Sequence, residues 1–336
     1  MQSDHILLEH GSGGLLSHEL VRNLFLPLFR NDHLSRLEDA ATFSIGSQRL
    51  CLTTDSYVVH PLFFPGGDIG SLAVHGTVND IAMSGGHPLF LSAGFIIEEG
   101  FPYEDLQAVC RSMAAAAKSA NVEIVTGDTK VVPRGAADGL FINTSGIGVI
   151  TYAPPPGVAC IRPGDAIIVN GPLGDHGAAI LQARQSLGFR SPIVSDSAPL
   201  NGLVADILEA NPHVHCLRDA TRGGLGGILA EMAEQSGLAF ILEETAIPIR
   251  EDVRAICEIL GLDPLYLANE GKMVLFCPAA AAESILAVMK NHPYGREGMV
   301  IGRVEAGKRG RLILRTAIGG SREIDLPTGE LVPRIC

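Results

Sequence analysis

The sequence has no CxxC pair, no excess of basic charge, and no apolar run approaching the roughly 18 residues of a membrane helix. Each absence excludes a class. Six cysteines (Cys51, Cys110, Cys160, Cys216, Cys257 and Cys277) are scattered through apolar segments. This pattern argues for thiols in a reducing compartment, and so for a cytoplasmic protein, rather than for a disulfide frame or a zinc site. The formal net charge of −12 argues against nucleic acid, whose phosphates need a clustered basic face. It does not exclude ATP, because Mg²⁺ and a few local donors neutralise a triphosphate. The opening MQSDHILLEHGSGG lacks a basic stretch and a long apolar core, so no signal peptide is expected. Cys336 is the last residue rather than the fourth from last, which does not fit prenylation.

What is present is an ordinary globular composition, 46% hydrophobic and 18% charged, over 336 residues. That length suggests about two domains, each able to bury its own core. Strand-like and helix-like runs alternate, giving an α/β (α+β) class. QRLCLTT (48–54), FLSAGFIIEE (90–99) and LFINTSGIGVIT (140–151) read as strands, and VEIVTG (122–127) as a short buried one. PYEDLQAVCRSMAAAAKSAN (102–121) reads as a helix opened by Pro102, with Leu106, Val109, Met113 and Ala117 at helical spacing. The proline cluster APPPGVACIRPGD (153–165) marks a joint. The expected division is therefore 1–155, 156–316, and an extended mobile tail over 317–336 that carries Cys336.

Four aspartates stand out. Asp55, Asp128 and Asp219 each follow an apparent strand, where ligands gather in α/β folds. The fourth, Asp80, lies in LAVHGTVNDIAMSGG. If this is a helix, Val74, Val78 and Ile81 form an apolar stripe, Asn79 and Asp80 project away from it, and Gly76 leaves room for a ligand. Separated carboxylates of this kind suit Mg²⁺ over a nucleotide, although each aspartate alone reads more readily as a turn or cap. Gly11, Gly13 and Gly14 in HGSGG offer backbone amides for phosphates, without the spacing of a Walker A loop or a Rossmann fingerprint. Lys130 in TGDTK and Glu270 in ANEGK are candidates for proton transfer. His176 in LGDHG has no metal-ligand spacing and reads as shaping a loop. The Cys336 thiol is accessible but not activated by its neighbours, which suits a carrier better than a resident nucleophile.

TTDSYVVHPLFFPGG, GTVNDIAMSGG, VTGDTKVV, RDATRGG, NEGK and the terminal PRIC, taken in order, resemble the HypE family of hydrogenase maturation factors, the carbamoyl dehydratases. The resemblance runs from Glu9 to Cys336 and extends to the superfamily of aminoimidazole ribonucleotide synthetase and selenophosphate synthetase. It implies a two-domain fold of that superfamily, a homodimer paired through its N-terminal sheets, and ATP with Mg²⁺ in an interdomain cleft. It also implies a carrier role for Cys336, loaded by the carbamoyltransferase HypF and dehydrated from thiocarboxamide to thiocyanate. The cyano group would pass to iron on a HypC–HypD complex for nickel–iron hydrogenase. Carried onto this chain, the resemblance assigns Asp55, Asp80, Asp128 and Asp219, with Asn79, to the Mg²⁺–nucleotide. Gly11, Gly13 and Gly14 would cover the phosphates, and Lys130 and Glu270 would handle protons and the amide. A selenophosphate synthetase would need a reactive cysteine in HGSGGLLSHEL, which has none. A non-catalytic ATP-gated binding module is the rival from another class.

Overall fold

The computed structural model describes residues 5–184, 191–211, 213–307, 310–329, 332 and 334–336. In chain order, the first half runs α1 (Leu15–Leu20), α2 (Leu26–Phe29), β1 (Ala41–Ile45), β2 (Gln48–Tyr57), the short pair β3 (Phe63–Phe64) and β4 (Gly67–Asp68), α3 (Ile69–Met83), β5 (Gly86–Glu98), α4 (Tyr103–Ser119), β6 (Glu123–Val132) and β7 (Leu140–Ile150). The second half runs β8 (Asp165–Val169), α5 (Asp175–Ala183), α6 (Asn201–Ala210), β9 (Cys216–Asp219), α7 (Gly224–Ser236), β10 (Ala239–Glu243), α8 (Glu251–Leu260), β11 (Met273–Pro278), α9 (Ala282–Asn291), β12 (Met299–Glu305), β13 (Arg311–Arg315) and β14 (Ser321–Ile324). A five-stranded mixed sheet in the order β1-β2-β7-β5-β6 forms the first layer, and a seven-stranded sheet, β14-β13-β10-β12-β8-β11-β9, forms the second.

Helix α3 joins the two. Its start is fixed by Asp68, whose carboxylate accepts the Gly70 and Ser71 amides at 2.7 and 3.0 Å. It is apolar on almost every face, as a helix buried on all sides must be. Val74 and Val78 pack under the first sheet, while Ala82 and Met83 share a core with Ile168, Leu200 and Met273 of the second half. The single apolar stripe expected on this helix is thus one of several.

Strand β6 departs from expectation. It is longer than 122–127 and exposed rather than buried, because it pairs only with β5 and closes the sheet's edge. Asp128 consequently sits in mid-strand instead of at a strand's end.

The segment expected as a mobile tail, 317–336, is anchored. Its first part forms β14 against β13. The Pro327 carbonyl accepts the Leu15 amide at 3.0 Å. The last residues run beside 58–60: Val58 N–H donates to the Cys336 carbonyl at 3.0 Å, and His60 N–H to the Arg334 carbonyl at 3.1 Å. Arg334 Nε returns a bond to the Val58 carbonyl at 2.8 Å, and its guanidinium pairs with Asp138. Ile335 is buried in the first-half core.

Candidate active site

The far end of the tail enters a cleft where the two sheets meet over α3. Asp55 and Tyr57 come from the end of β2, Asp80 from the last turn of α3, and Asp219 from the end of β9. Thr221 and Arg222 follow β9 in a turn, Glu270 precedes β11, and Cys336 closes the cleft. Of the residues expected from sequence, the structure therefore unites Asp55, Asp80, Asp219, Glu270 and Cys336.

At the base, one carboxylate oxygen each from Asp39, Asp80 and Asp219 lies within 4.8 Å of the others. Asp39 precedes β1 and pairs with Arg218 at 2.5 Å. Thr53 Oγ1 donates to Asp80 Oδ2 at 2.7 Å. Burial and the mutual repulsion of these carboxylates push Asp80 well above the ordinary range, and burial does the same to Asp39. Asp219 rises to about 6, mainly through burial. Three crowded oxygen donors that resist losing their protons fit a hard cation such as Mg²⁺, which would relieve that repulsion.

Glu270 is 3% exposed, its Oε1 has no hydrogen-bond partner among the described residues, and burial drives its pKa well up. Such an orphaned group suits contact with a bound ligand. The Cys336 thiol is pushed up to about 12, chiefly by burial, with Glu270, Asp55 and Asp219 adding to the rise and Arg222 opposing it.

Gly76 lines the cleft, and the room its missing side chain leaves is shared with a neighbour. A Cβ there would overlap the Tyr57 hydroxyl, which donates to Asp55 Oδ2 at 3.3 Å. The glycine admits the tyrosine that orients Asp55. Gly76→Ala should cost about 1–3 kcal/mol through overpacking, read as a lowered urea midpoint. Gly76→Ala combined with Tyr57→Phe should recover part of the loss, and no recovery would refute the contact.

Asn79 is buried and does not line the cleft. Its carboxamide accepts the Leu200 amide at 2.7 Å and donates to the carbonyls of Ala198 at 3.1 Å and Glu270 at 3.4 Å, tying α3 to the start of α6 and to the segment before β11. Gly13, in the left-handed region, rests on Arg222, and Arg222 Nη1 donates to the Gly11 carbonyl at 3.1 Å. Gly14 abuts Pro327. The glycine segment therefore flanks the cleft through Arg222 and the tail. Asp128 and Lys130 are not in this cleft. They pair with each other on the exposed face of β6, and that pairing lowers the pKa of Asp128.

Sequence reasoning missed Asp39, Tyr57 and Arg222. Arg222 was within reach, standing three residues past Asp219 in RDATRGG. Asp39 precedes its strand and Tyr57 carries no signature, so neither had a positional signal.

The arrangement is one of AIR synthase related proteins, whose N-terminal domain matches residues 37–150 and C-terminal domain residues 162–315. Over the whole chain the similarity narrows. Carbamoyl dehydratase HypE of Azotobacter vinelandii is 52% identical over 340 residues, 100% of this chain and 98% of that protein. A crystal structure of a HypE–HypF complex superposes with a TM-score of 0.87 at 47% identity, covering 92% of this chain and 99% of that one. A HypE structure in complex with ATP gives a TM-score of 0.83 at 50% identity, covering 99% and 100%. This chain belongs to the HypE carbamoyl dehydratase family.

Proposed function

We propose that this protein dehydrates a carbamoyl group carried on Cys336, using ATP, and so supplies cyanide ligands for the iron of nickel–iron hydrogenase. The observation that carries the reading is the seating of the terminal thiol in a cleft with Asp55, Asp80, Asp219, Arg222 and Glu270. An amide oxygen leaves poorly as hydroxide or water. In the proposed course the thiocarboxamide oxygen attacks the γ-phosphorus and ADP departs. The nitrogen then gives up its protons as the C–O bond breaks, releasing phosphate and leaving S–C≡N. Phosphoryl transfer of this kind rests on positioning and charge neutralisation.

Asp80 and Asp219, joined by Asp39, would hold Mg²⁺, with Asp55 beside them; the metal would neutralise the triphosphate and orient its terminal group. Arg222, the one cation lining the cleft among the described residues, lies beside the thiol and suits the transferred phosphoryl. Glu270, whose pKa burial pushes upward, would hold the amide group and, as the carboxylate, take a proton from the amide nitrogen once the carbamoyl oxygen is activated. The closed cleft keeps water from the intermediate. Gly11, Gly13 and Gly14 would cover the phosphates.

Strand β6 presents exposed Ile124, Val125 and Val131 along an unpaired edge, an arrangement that proteins normally cover. We assign it to homodimer pairing, which would bring Asp128 and Lys130 to the chemistry at the interface. The reading further takes HypF as the loading partner, HypC–HypD as the acceptor, a cytoplasmic setting, and the division 1–155, 156–316 and 317–336.

Intact-protein mass spectrometry with the carbamoyltransferase, carbamoyl phosphate and Mg²⁺–ATP tests it. The expected result is one carbamoyl adduct on Cys336 that loses the mass of water only with hydrolysable ATP. An active transferase that leaves Cys336 unmodified would overturn the reading.

A further inference from the structure

One buried polar chain outside the carboxylate cluster bears directly on Cys336. His176, in the first turn of α5, is fully buried, and its ring meets the Phe64 ring edge-on at 5.4 Å. Ser195 Oγ accepts the Ser197 amide at 3.1 Å and lies 2.8 Å from His176 Nδ1. A carbonyl oxygen only accepts, so with Nε2 facing one the proton of a neutral imidazole sits on Nε2, and Nδ1 accepts from the Ser195 hydroxyl. Nε2 lies 2.8 Å from the carbonyl oxygen of Ile335, one residue before the thiol. Burial lowers the pKa of His176, in keeping with the neutral ring.

The support around this chain comes from both halves of the molecule. Ser195 N–H donates to the Pro65 carbonyl at 2.7 Å, tying the serine to the β3–β4 turn. On the other side, Val58 N–H holds the Cys336 carbonyl. The carbonyls before and after the Cys336 Cα are therefore both held. That fixes the direction in which its side chain leaves the backbone.

We propose that His176 is a positioning residue that seats the carrier cysteine: it holds the Ile335 carbonyl through Nε2–H, with the Ser195 hydroxyl supporting the ring at Nδ1. The dehydration readout below rests on the carbamoyl dehydratase reading; the thiol-accessibility readout does not.

The test uses the full chain, wild type and His176→Ala, His176→Gln and Ser195→Ala. Iodoacetamide labelling of the unloaded protein is mapped to each cysteine, with the exposed Cys110 as internal control. Loss of the buried hydrogen bond should raise labelling of Cys336 about tenfold in His176→Ala, with Cys110 unchanged. Conversion of protein already carbamoylated should slow about a hundredfold, since misplacement by about 1 Å is enough for such a loss, while loading proceeds at no less than the wild-type rate. His176→Gln, whose amide donates from nearly the same place, should recover most of both effects. Ser195→Ala should shift both in the same direction by a smaller factor.

Wild-type labelling and conversion in a folded His176→Ala protein would overturn the proposal. So would equal losses of conversion in the Ala and Gln proteins with Cys336 labelling unchanged, the mark of a merely structural histidine. If His176→Ala does not fold, wild-type labelling of Cys336 in Ser195→Ala overturns it equally. A wild-type protein that loads but never dehydrates would sink the dehydratase reading while leaving the labelling comparison valid.

Discussion

Asp80→Asn should accept the carbamoyl group normally yet convert it at least about a hundredfold more slowly with Mg²⁺–ATP. The same substitution should leave the metal-free protein as stable as wild type or more so. Both outcomes follow from one carboxylate. Asp80 accepts the Thr53 hydroxyl and stands among Asp39 and Asp219, where an uncompensated charge is costly. An asparagine oxygen keeps the Thr53 bond and removes the charge, so the apo protein loses repulsion while the cation loses a ligand. Wild-type protein should gain about 2.7 kcal/mol at a Mg²⁺ concentration a hundredfold above its Kd, seen as a rise in Tm, and the variant should gain far less. The pH dependence has a defined sign. Asp219 has a folded pKa of about 6, above its unfolded value near 4, so keeping it protonated stabilises the fold below pH 4. That contribution is lost as pH rises through about 6, and saturating Mg²⁺ at pH 7 should restore stability. Equal loss of loading and conversion in Asp80→Asn, or a wild-type Tm indifferent to Mg²⁺, would make Asp80 a structural residue.

Cys336→Ala should show no carbamoyl adduct after incubation with an active transferase, while its stability stays within about 1 kcal/mol of wild type. The small stability effect follows from how the tail is held. The Val58 bond goes to the backbone carbonyl of residue 336, and the apolar anchor is Ile335, so the substitution removes little beyond one sulfur. The discriminating competitor is Cys110, which is exposed, whereas Cys51, Cys216, Cys257 and Cys277 are buried. An adduct on Cys110 that survives Cys336→Ala and still loses water with ATP would relocate the carrier. A large drop in Tm would instead show that the side chain holds the two halves together.

The parts of the fold that were legible in sequence are those governed by short-range periodicity. Helix 102–121 appears as Tyr103–Ser119 and strand 140–151 as Leu140–Ile150. Asp55 and Asp219 were found because ligands collect at strand ends, and Asp219 does end β9. Asp128 follows the same local pattern, but its strand continues to Val132 at the sheet's edge. The sequence VEIVTG carries β-branched residues whether it has one neighbour or two, so edge and centre cannot be told apart from it. Gly76 and Asn79 were given ligand roles because they stand beside Asp80. Packing engages both, the first to admit Tyr57 at the cleft wall and the second to hold Leu200. Tyr57 reaches the cleft through the long-range pairing of β2 with β7, and Asp39 meets Asp80 and Asp219 only in the tertiary fold; no local window contains either. The anchored tail was hidden for the same reason, since its bonds run to residues far earlier in the chain.

The core shared by Ala82 and Met83 with Ile168, Leu200 and Met273 has a thermodynamic consequence. Helix α3 cannot leave the second sheet without exposing that apolar surface, and the first sheet cannot remain packed without α3. Heating should therefore melt the chain in a single calorimetric transition, with van't Hoff and calorimetric enthalpies equal, rather than as two independently melting lobes.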